Sequence, residues 1–337
     1  MGLKVDTIQE PSSGTVNLTL GSTGNVTVGA NLAVTGTSTF TGSVSGNMTA
    51  TGTVVMGSSY LRNRLINGNM YVSQRATSAT VTAGTTVPTI STGYPCVDRW
   101  FVYSSGANVT AAQVSGSGSN RNLLQVTGAA SVTAVGIGQR IEALNSYDLA
   151  GQTCTLSVNI ANSLLTTVTW TASYATTTAD TFGTIGTATK TQIATGTFTV
   201  TSTLTQYTAN ISVPAAATTG IEILFTVGAQ TSGTWQIGNV QFEAGSVATP
   251  FERPIYGTQF AQCQRYYTTL SAITVSNQTG ATVTCVGGTA FPTTMRATPT
   301  VTGTGATATT TYIKVSQSLA AFTSGDTGTF TASAEIP

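Results

Sequence analysis

Residues 24–57 read GNVTVGANLAVTGTSTFTGSVSGNMTATGTVVMG, and nearly all their larger apolar side chains keep one parity. Val26, Val28, Leu32, Val34, Phe40, Val44, Met48, Val54 and Met56 occupy even positions, while Thr, Ser and Asn fill most of the odd ones. Successive Cβ atoms of an extended chain point to opposite faces, so this parity gathers the apolar residues on one face of a strand. The same register begins at Val16, Leu18 and Leu20, and glycines at 24, 29, 36, 42, 46, 52 and 57 divide the run into short strands joined by turns. Ordering a backbone costs roughly 1–2 kcal/mol per residue, more than so narrow an apolar row offsets alone. The stretch therefore needs partners. It predicts a β-repeat shaft over 23–60 in which identical copies, three of them, meet around an axis. The alternative is a β-meander that belongs to the domain after it.

Composition supports an all-β chain and removes several functions. Thr, Ser, Gly and Val dominate the 337 residues, which suits strands and turns. Only 7% of residues are charged and the net charge is +1, so there is no electrostatic footprint for nucleic acid. The chain has no histidine, which excludes imidazole-based triads and the commonest zinc ligand. Cys96, Cys154, Cys263 and Cys285 are widely spaced, and buried free thiols are expected of them. No clustered acidic loop suggests a calcium site, so neither a metal nor any other cofactor is expected. The opening MGLKVDTIQEPSSG has no cationic stretch followed by an apolar run, and no run approaches the roughly 20 residues that span a bilayer. Neither a secretory leader nor membrane insertion is expected.

Outward from the repeat, residues 1–22 read as an extended attachment segment, broken by Pro11 and Gly14. Charge and aromatic content rise at YLRNRLINGNMYVSQRATS, residues 60–78, which marks a domain boundary. Between 61 and 255, runs such as CVDRWFVYS, NLLQVTGA, TVTWTASYA and WQIGNVQFEAG alternate between turns, and predict a β-sandwich of the jelly-roll type. A helical connector is expected over 256–270, YGTQFAQCQRYYTTL, and a small C-terminal β domain over 271–337.

Several of these segments resemble a known family, in chain order. LKVDTIQEPSSG followed by the repeats is similar to the N-terminal part of bacteriophage tail-fibre and other virion-fibre proteins. LINGNMYVSQRATS, CVDRWFVY, GIGQRIEAL, IGNVQFEAGSVATPFERP and CQRYY resemble the carbohydrate-binding-module-like jelly roll of many phage fibres, and FPTTMRATPTV resembles the small domain that follows it. The resemblance implies a part of the virion; together with the repeat it gives the expectation of an elongated homotrimer joined to other virion proteins by its N-terminal segment and attached to host surface polysaccharide by its outer domains. It implies no particular glycan. A purely structural head, neck or decoration fibre and a polysaccharide depolymerase spike are the alternatives.

The candidate chemistry is sparse. Glycoside hydrolysis needs two carboxyl groups a few ångströms apart, whereas Asp98, Glu142, Asp148, Asp180, Glu222, Glu243 and Glu252 are scattered singly, so a non-enzyme is expected. Asp98-Arg99-Trp100 and Gln139-Arg140-Ile141-Glu142 read as structural ion pairs beside a core tryptophan. Trp170 and Tyr174 fall on one face of a strand and are candidate glycan contacts, with core packing as the other reading. Trp235 and Ile237 are expected to point into the sandwich.

Overall fold

Alternating Val, Ile, Leu and aromatic residues between turns at 78–244 form strands, and two sheets of them face each other. A computed structural model describes residues 61–84, 93–183, 189–271, 283–303, 305–319 and 329–336. The attachment segment, the repeat with its row from Val26 to Met56, and the trimer contacts expected of that row lie outside the described residues, which all belong to one compact unit of the chain.

The first sheet has six strands, β1 (Ser78–Val81), β3 (Val109–Ser115), β4 (Asn122–Thr127), β11 (Thr234–Ala244), β6 (Thr153–Asn162) and β9 (Thr205–Ser212), in that order. The second has five, in the order β2 (Phe101–Ser105), β5 (Ala134–Ile141), β10 (Ile221–Val227), β7 (Thr167–Ala175) and β8 (Lys190–Thr199). Neighbouring strands are antiparallel, and a one-turn helix α1 (Ala143–Ser146) follows β5. This is an all-β sandwich consistent with a jelly roll.

Register explains the core. Phe225 of β10 sits opposite Ile137 of β5 and Trp170 of β7, and Ile221 opposite Ile141, so the inner face of the five-stranded sheet is continuous. From the other sheet, Trp235 and Ile237 of β11 point inward, as the alternation predicts, and are fully buried. A β-bulge between Gly238 and Gln241, with Asn239 at φ 44°, then shifts the parity of β11 so that Val240 and Phe242 also face inward. Each such side chain contributes roughly 1.5–3 kcal/mol by leaving water.

The connector differs from expectation. Helix α2 spans Tyr256–Gln264 and stops there, while Tyr267–Ser271 is extended as β12. Tyr266, Tyr267, Thr268 and Thr269 favour strands, and pairing with β17 (Thr329–Ser333) in the register Tyr267↔Ser333 to Ser271↔Thr329 satisfies their backbone. β14 (Thr300–Thr302) completes that sheet, and β13 (Val283–Ala290), β15 (Ala306–Ala308) and β16 (Tyr312–Leu319) make a second. Leu270, Phe291, Met295, Ile313, Val315 and Phe330 form a small core among them.

Charges join these sheets to the sandwich. Arg99 and Glu335, each 1% exposed, form an ion pair across 236 residues of chain, with the Arg99 guanidinium 3.5 Å over the Tyr266 ring. Arg75 reaches the same carboxylate at 3.3 Å and lies 3.7 Å over the Tyr267 ring. Arg140 pairs with Glu222 at 2.7 Å and donates to the carbonyl of Ile336, while Glu142 receives Arg265 at 3.2 Å. Asp98 accepts from the Gln74 side chain at 2.5 Å and backbone at 3.0 Å. Burial pushes its carboxyl up to about 6, against the pull of Arg75 at 3.8 Å and of the Gln74 hydrogen bonds. The expected structural pairs thus exist, and their partners lie far along the chain. Cys96, Cys154 and Cys263 are free and buried, and burial pushes the first two thiols up to about 11; the side chain of Cys285 is outside the described residues.

Removing one member of a buried pair leaves the other charge uncompensated, at a cost of about 3–5 kcal/mol. Glu335→Ala is therefore expected to lower the urea midpoint strongly, whereas Asp148→Ala, whose partner Arg64 is a partly exposed surface contact, changes stability by less than about 1 kcal/mol.

Candidate functional site

Asn67 organises one end of the sandwich. It is 2% exposed at φ 59°, and its side-chain amide donates to the carbonyls of Val72 at 2.8 Å and Asp98 at 2.9 Å. Its Oδ1 accepts from the backbone N–H groups of Tyr71 and Val72, both at 2.9 Å, and its carbonyl accepts the indole N–H of Trp100 at 3.0 Å. The loop 67–72 is thereby fixed to the core, and Asn69 and Tyr71 stand on it. Gln113 of β3 holds it from the other side, donating to the carbonyls of Met70 and Tyr71.

Gly68 permits this closure. A Cβ at that position would meet the Val240 carbonyl oxygen at 2.1 Å, because the backbone of the loop lies directly against β11, where the Val240 N–H donates to the Gly68 carbonyl at 2.9 Å.

Helix α2 supplies the opposite wall. Gln259, 2% exposed, donates through Nε2 to Asn67 Oδ1 at 2.7 Å and to Asn69 Oδ1 at 2.6 Å, which locks helix to loop. That anchorage puts the Tyr256 ring 5.2 Å from the Tyr71 ring, with Phe260 stacked behind it at 5.7 Å. The chain enters α2 through Phe251–Pro254. Glu252 is fixed there by the N–H groups of Leu61 and Asn63, and Arg253 by a 2.5 Å bond to the carbonyl of Ser119 in the turn between β3 and β4. Arg121, beside that turn, places its guanidinium 5.2 Å over the Tyr71 ring.

The result is an open pocket of about 300 Å³, with Asn69 and Tyr71 on one wall, Tyr256 and Gln259 on another, and Arg121 and Arg253 at its rim. Tyr256 is half exposed. Two aromatic faces beside amide and guanidinium donors can stack on a ring and hydrogen-bond its substituents. The pocket has a firm floor and accessible walls.

Trp170 and Tyr174 lie elsewhere. Trp170 is 7% exposed, faces the sandwich core beside Phe198, and covers Gly196, while Tyr174 is half-buried against the same core. They do share a face, and it is the inner one. The outer face of the five-stranded sheet is also partly covered: Phe101, Tyr103, Tyr94 and Leu224 cluster there, and the Tyr94 hydroxyl donates to the carbonyl of Ile336.

The pocket leaves no trace in the alternation because its residues come from loops at 69–71, 121 and 253–254 and from the first turn of α2 at 256–259, none of them in a strand. The available signal was local. NGNMY and ERPIYG each place a tyrosine among polar, glycine-bearing residues outside any strand.

The carboxylates expected to be scattered are each held. Besides those described above, Asp148 receives Arg64 at 2.6 Å, Asp180 the Ala143 N–H at 2.8 Å, and Glu243 the Thr249 hydroxyl at 2.6 Å. Among the described residues, no group of three His, Cys, Asp or Glu side chains could hold a metal ion, and no helix is long and apolar enough to cross a membrane.

No protein-family model matches the chain, and no curated protein is similar to it. Among solved structures, a CBM4 chain is 15% identical over 53% of this chain and 98% of its own, with a TM-score of 0.35. A putative sugar binding protein from Bacteroides thetaiotaomicron is 13% identical over 55% of this chain and 100% of its own, also at 0.35. The enzymatically active domain of bacteriophage CBA120 tailspike protein 4 is 19% identical over 55% of this chain, but over only 22% of its own, at 0.33. Likeness at this level says nothing of what the chain binds.

Gly68→Ala is expected to lower unfolding free energy by about 1–3 kcal/mol, since the nearest obstacle is the Val240 backbone carbonyl, which must move. At Gly257 in α2 a Cβ would meet nothing within 4 Å, so Gly257→Ala leaves stability unchanged or raises it by up to about 1 kcal/mol. Urea denaturation of the two variants separates the outcomes.

Proposed function

We propose that this chain is a fibre subunit of a bacteriophage virion, a homotrimer through its N-terminal repeat, that attaches to host surface glycan without cleaving it. The observation that carries the glycan reading is the pocket at the end of the sandwich, where Tyr71 and Tyr256 face outward beside Asn69, Gln259 and two arginines. Sugars bind to aromatic faces flanked by planar hydrogen-bonding groups, because pyranose C–H faces are apolar and their hydroxyls are not. The virion reading rests on the repeat at 24–57 and on the ordered likeness of the segments around it.

A non-catalytic role is supported by the state of the acids. Every described carboxylate is bound to a cation, an N–H or a hydroxyl of its own chain, and none lines the pocket, so no pair of described acids flanks a sugar held there. Trp170 and Tyr174 are not part of the proposed contact surface, since both pack toward the core.

In gels containing bacterial surface polysaccharides, the full chain is expected to be retarded by at least one of them and to release no new reducing ends. Tyr256→Ala should run as it does in an empty gel. Retardation that persists in Tyr256→Ala, or release of reducing ends, would contradict the reading. By light scattering, the full chain is expected to have three times the 34.3 kDa mass; a mass of one chain would remove the shaft.

A further inference from the structure

The charges of this protein are few and nearly all are matched internally. Arg62, Arg64, Arg75, Arg99, Arg140, Arg265 and Arg296 each pair with a carboxylate, and so does Lys190. Among the described residues, the cations without a carboxylate partner are Arg121, Arg253 and Lys314. Lys314 is a solvent-facing residue of β16. The two arginines line one pocket, Arg121 over the Tyr71 ring and Arg253 over the Phe251 ring. No carboxylate lines that pocket.

An exposed arginine alone says little. Two in one mouth, in a chain where 7% of residues are charged and every other described arginine is neutralised, leave a local excess of positive charge with two guanidinium planes to present. Guanidinium matches a carboxylate through paired, charge-assisted hydrogen bonds, and these are stronger than neutral ones. Their geometry is held. Arg121 rests over the Tyr71 ring, and Arg253 is tethered by its bond to Ser119 and lies over the Phe251 ring at 5.8 Å. A ring stacked on Tyr71 or Tyr256 would have any acidic substituent beside these cations.

We infer that the pocket takes an acidic sugar, a pyranose bearing a carboxylate, with its ring on the tyrosines and its carboxylate at Arg121 and Arg253. This rests on the glycan reading above and narrows it. The shared chemistry is an anion on a sugar ring, so a sulfated glycan is a separate arm of the test.

The experiment is titration of the full chain at about 0.15 M salt. The probes are short oligomers of galacturonate, mannuronate and N-acetylneuraminate, the neutral oligomers maltotriose and chitotriose, and a sulfated dextran fragment. At least one carboxylated oligomer is expected to bind about 10-fold or more tighter than the neutral ones, and Arg121→Gln should remove about 10-fold of that affinity while weakening neutral binding much less. The contact described for the Arg121 side chain is with the Tyr71 face, and its backbone bond from Gly116 survives the substitution, so the variant's unfolding curve should match that of the wild type. Tyr256→Ala should weaken acidic and neutral oligomers alike. Neutral oligomers bound as tightly as acidic ones, or acidic binding indifferent to Arg121→Gln, would overturn the inference and leave the glycan reading standing. Sulfated dextran bound more tightly than every carboxylated oligomer would also overturn it. Binding of none of the probes would remove both.

Discussion

The buried pair of Arg99 and Glu335 is the constraint from which the rest follows. Taking either charge out of water costs several kcal/mol unless the other is present with good geometry. The chain can therefore close only when its last strand has delivered Glu335 to a sandwich that holds Arg99. Arg75, Arg140 and Arg296 extend the same requirement, each reaching the carboxylate or backbone of residues 334–336. Tyr266, just after α2, and Tyr267, which opens β12, lie against the guanidiniums of Arg99 and Arg75. The position of α2 is thus tied to the ionic contacts on its far side as well as to Asn67 and Gln259 on its near side. A helix held at both ends can keep Tyr256 at a fixed distance from Tyr71.

Matching of charge also explains what is left over. Each described carboxylate is matched with an arginine or a hydrogen-bond donor, and those of Asp98, Glu142, Glu222, Glu243 and Glu335 are buried with their partners. The pocket rim lies outside this network, and its two guanidiniums remain open to a ligand. Firm supports behind adaptable polar tips reduce the ordering entropy lost on binding, which suits weak contacts to sugars. In the proposed trimer, three such mouths would act together through their effective concentration.

Much of the fold was legible because a two-residue period and turn residues are local properties. Trp235 and Ile237 face inward as their alternation requires, and the runs containing Phe225 and Ile137 became central strands. What alternation hides is a change of phase. The bulge at Asn239 turns Val240 and Phe242 inward against the count from Ile237, and nothing in GNVQF announces it. The helix from 256 ended at Gln264 because strand pairing with residues 329–333, more than sixty positions away, outweighed local preference in YYTTL. Ion pairs were foreseeable as a type, since few charges in a long chain tend to meet, but Glu335 as the partner of Arg99 depends on topology. The pocket was least legible of all. Its residues are brought together from three separate segments by Asn67, and a buried asparagine in NGN looks like any turn.

Fluorine NMR of the full chain carrying fluorotyrosine gives the most direct test, since each ring reports its own surroundings. On titration with a polysaccharide that retards the protein, the resonances of Tyr71 and Tyr256 should shift together and saturably, while Tyr103 and Tyr174 stay in place. Shifts at Tyr103 or Tyr174 with Tyr71 and Tyr256 unmoved would show that sugar binds on a sheet face or at the core margin, and the account of the pocket would be wrong.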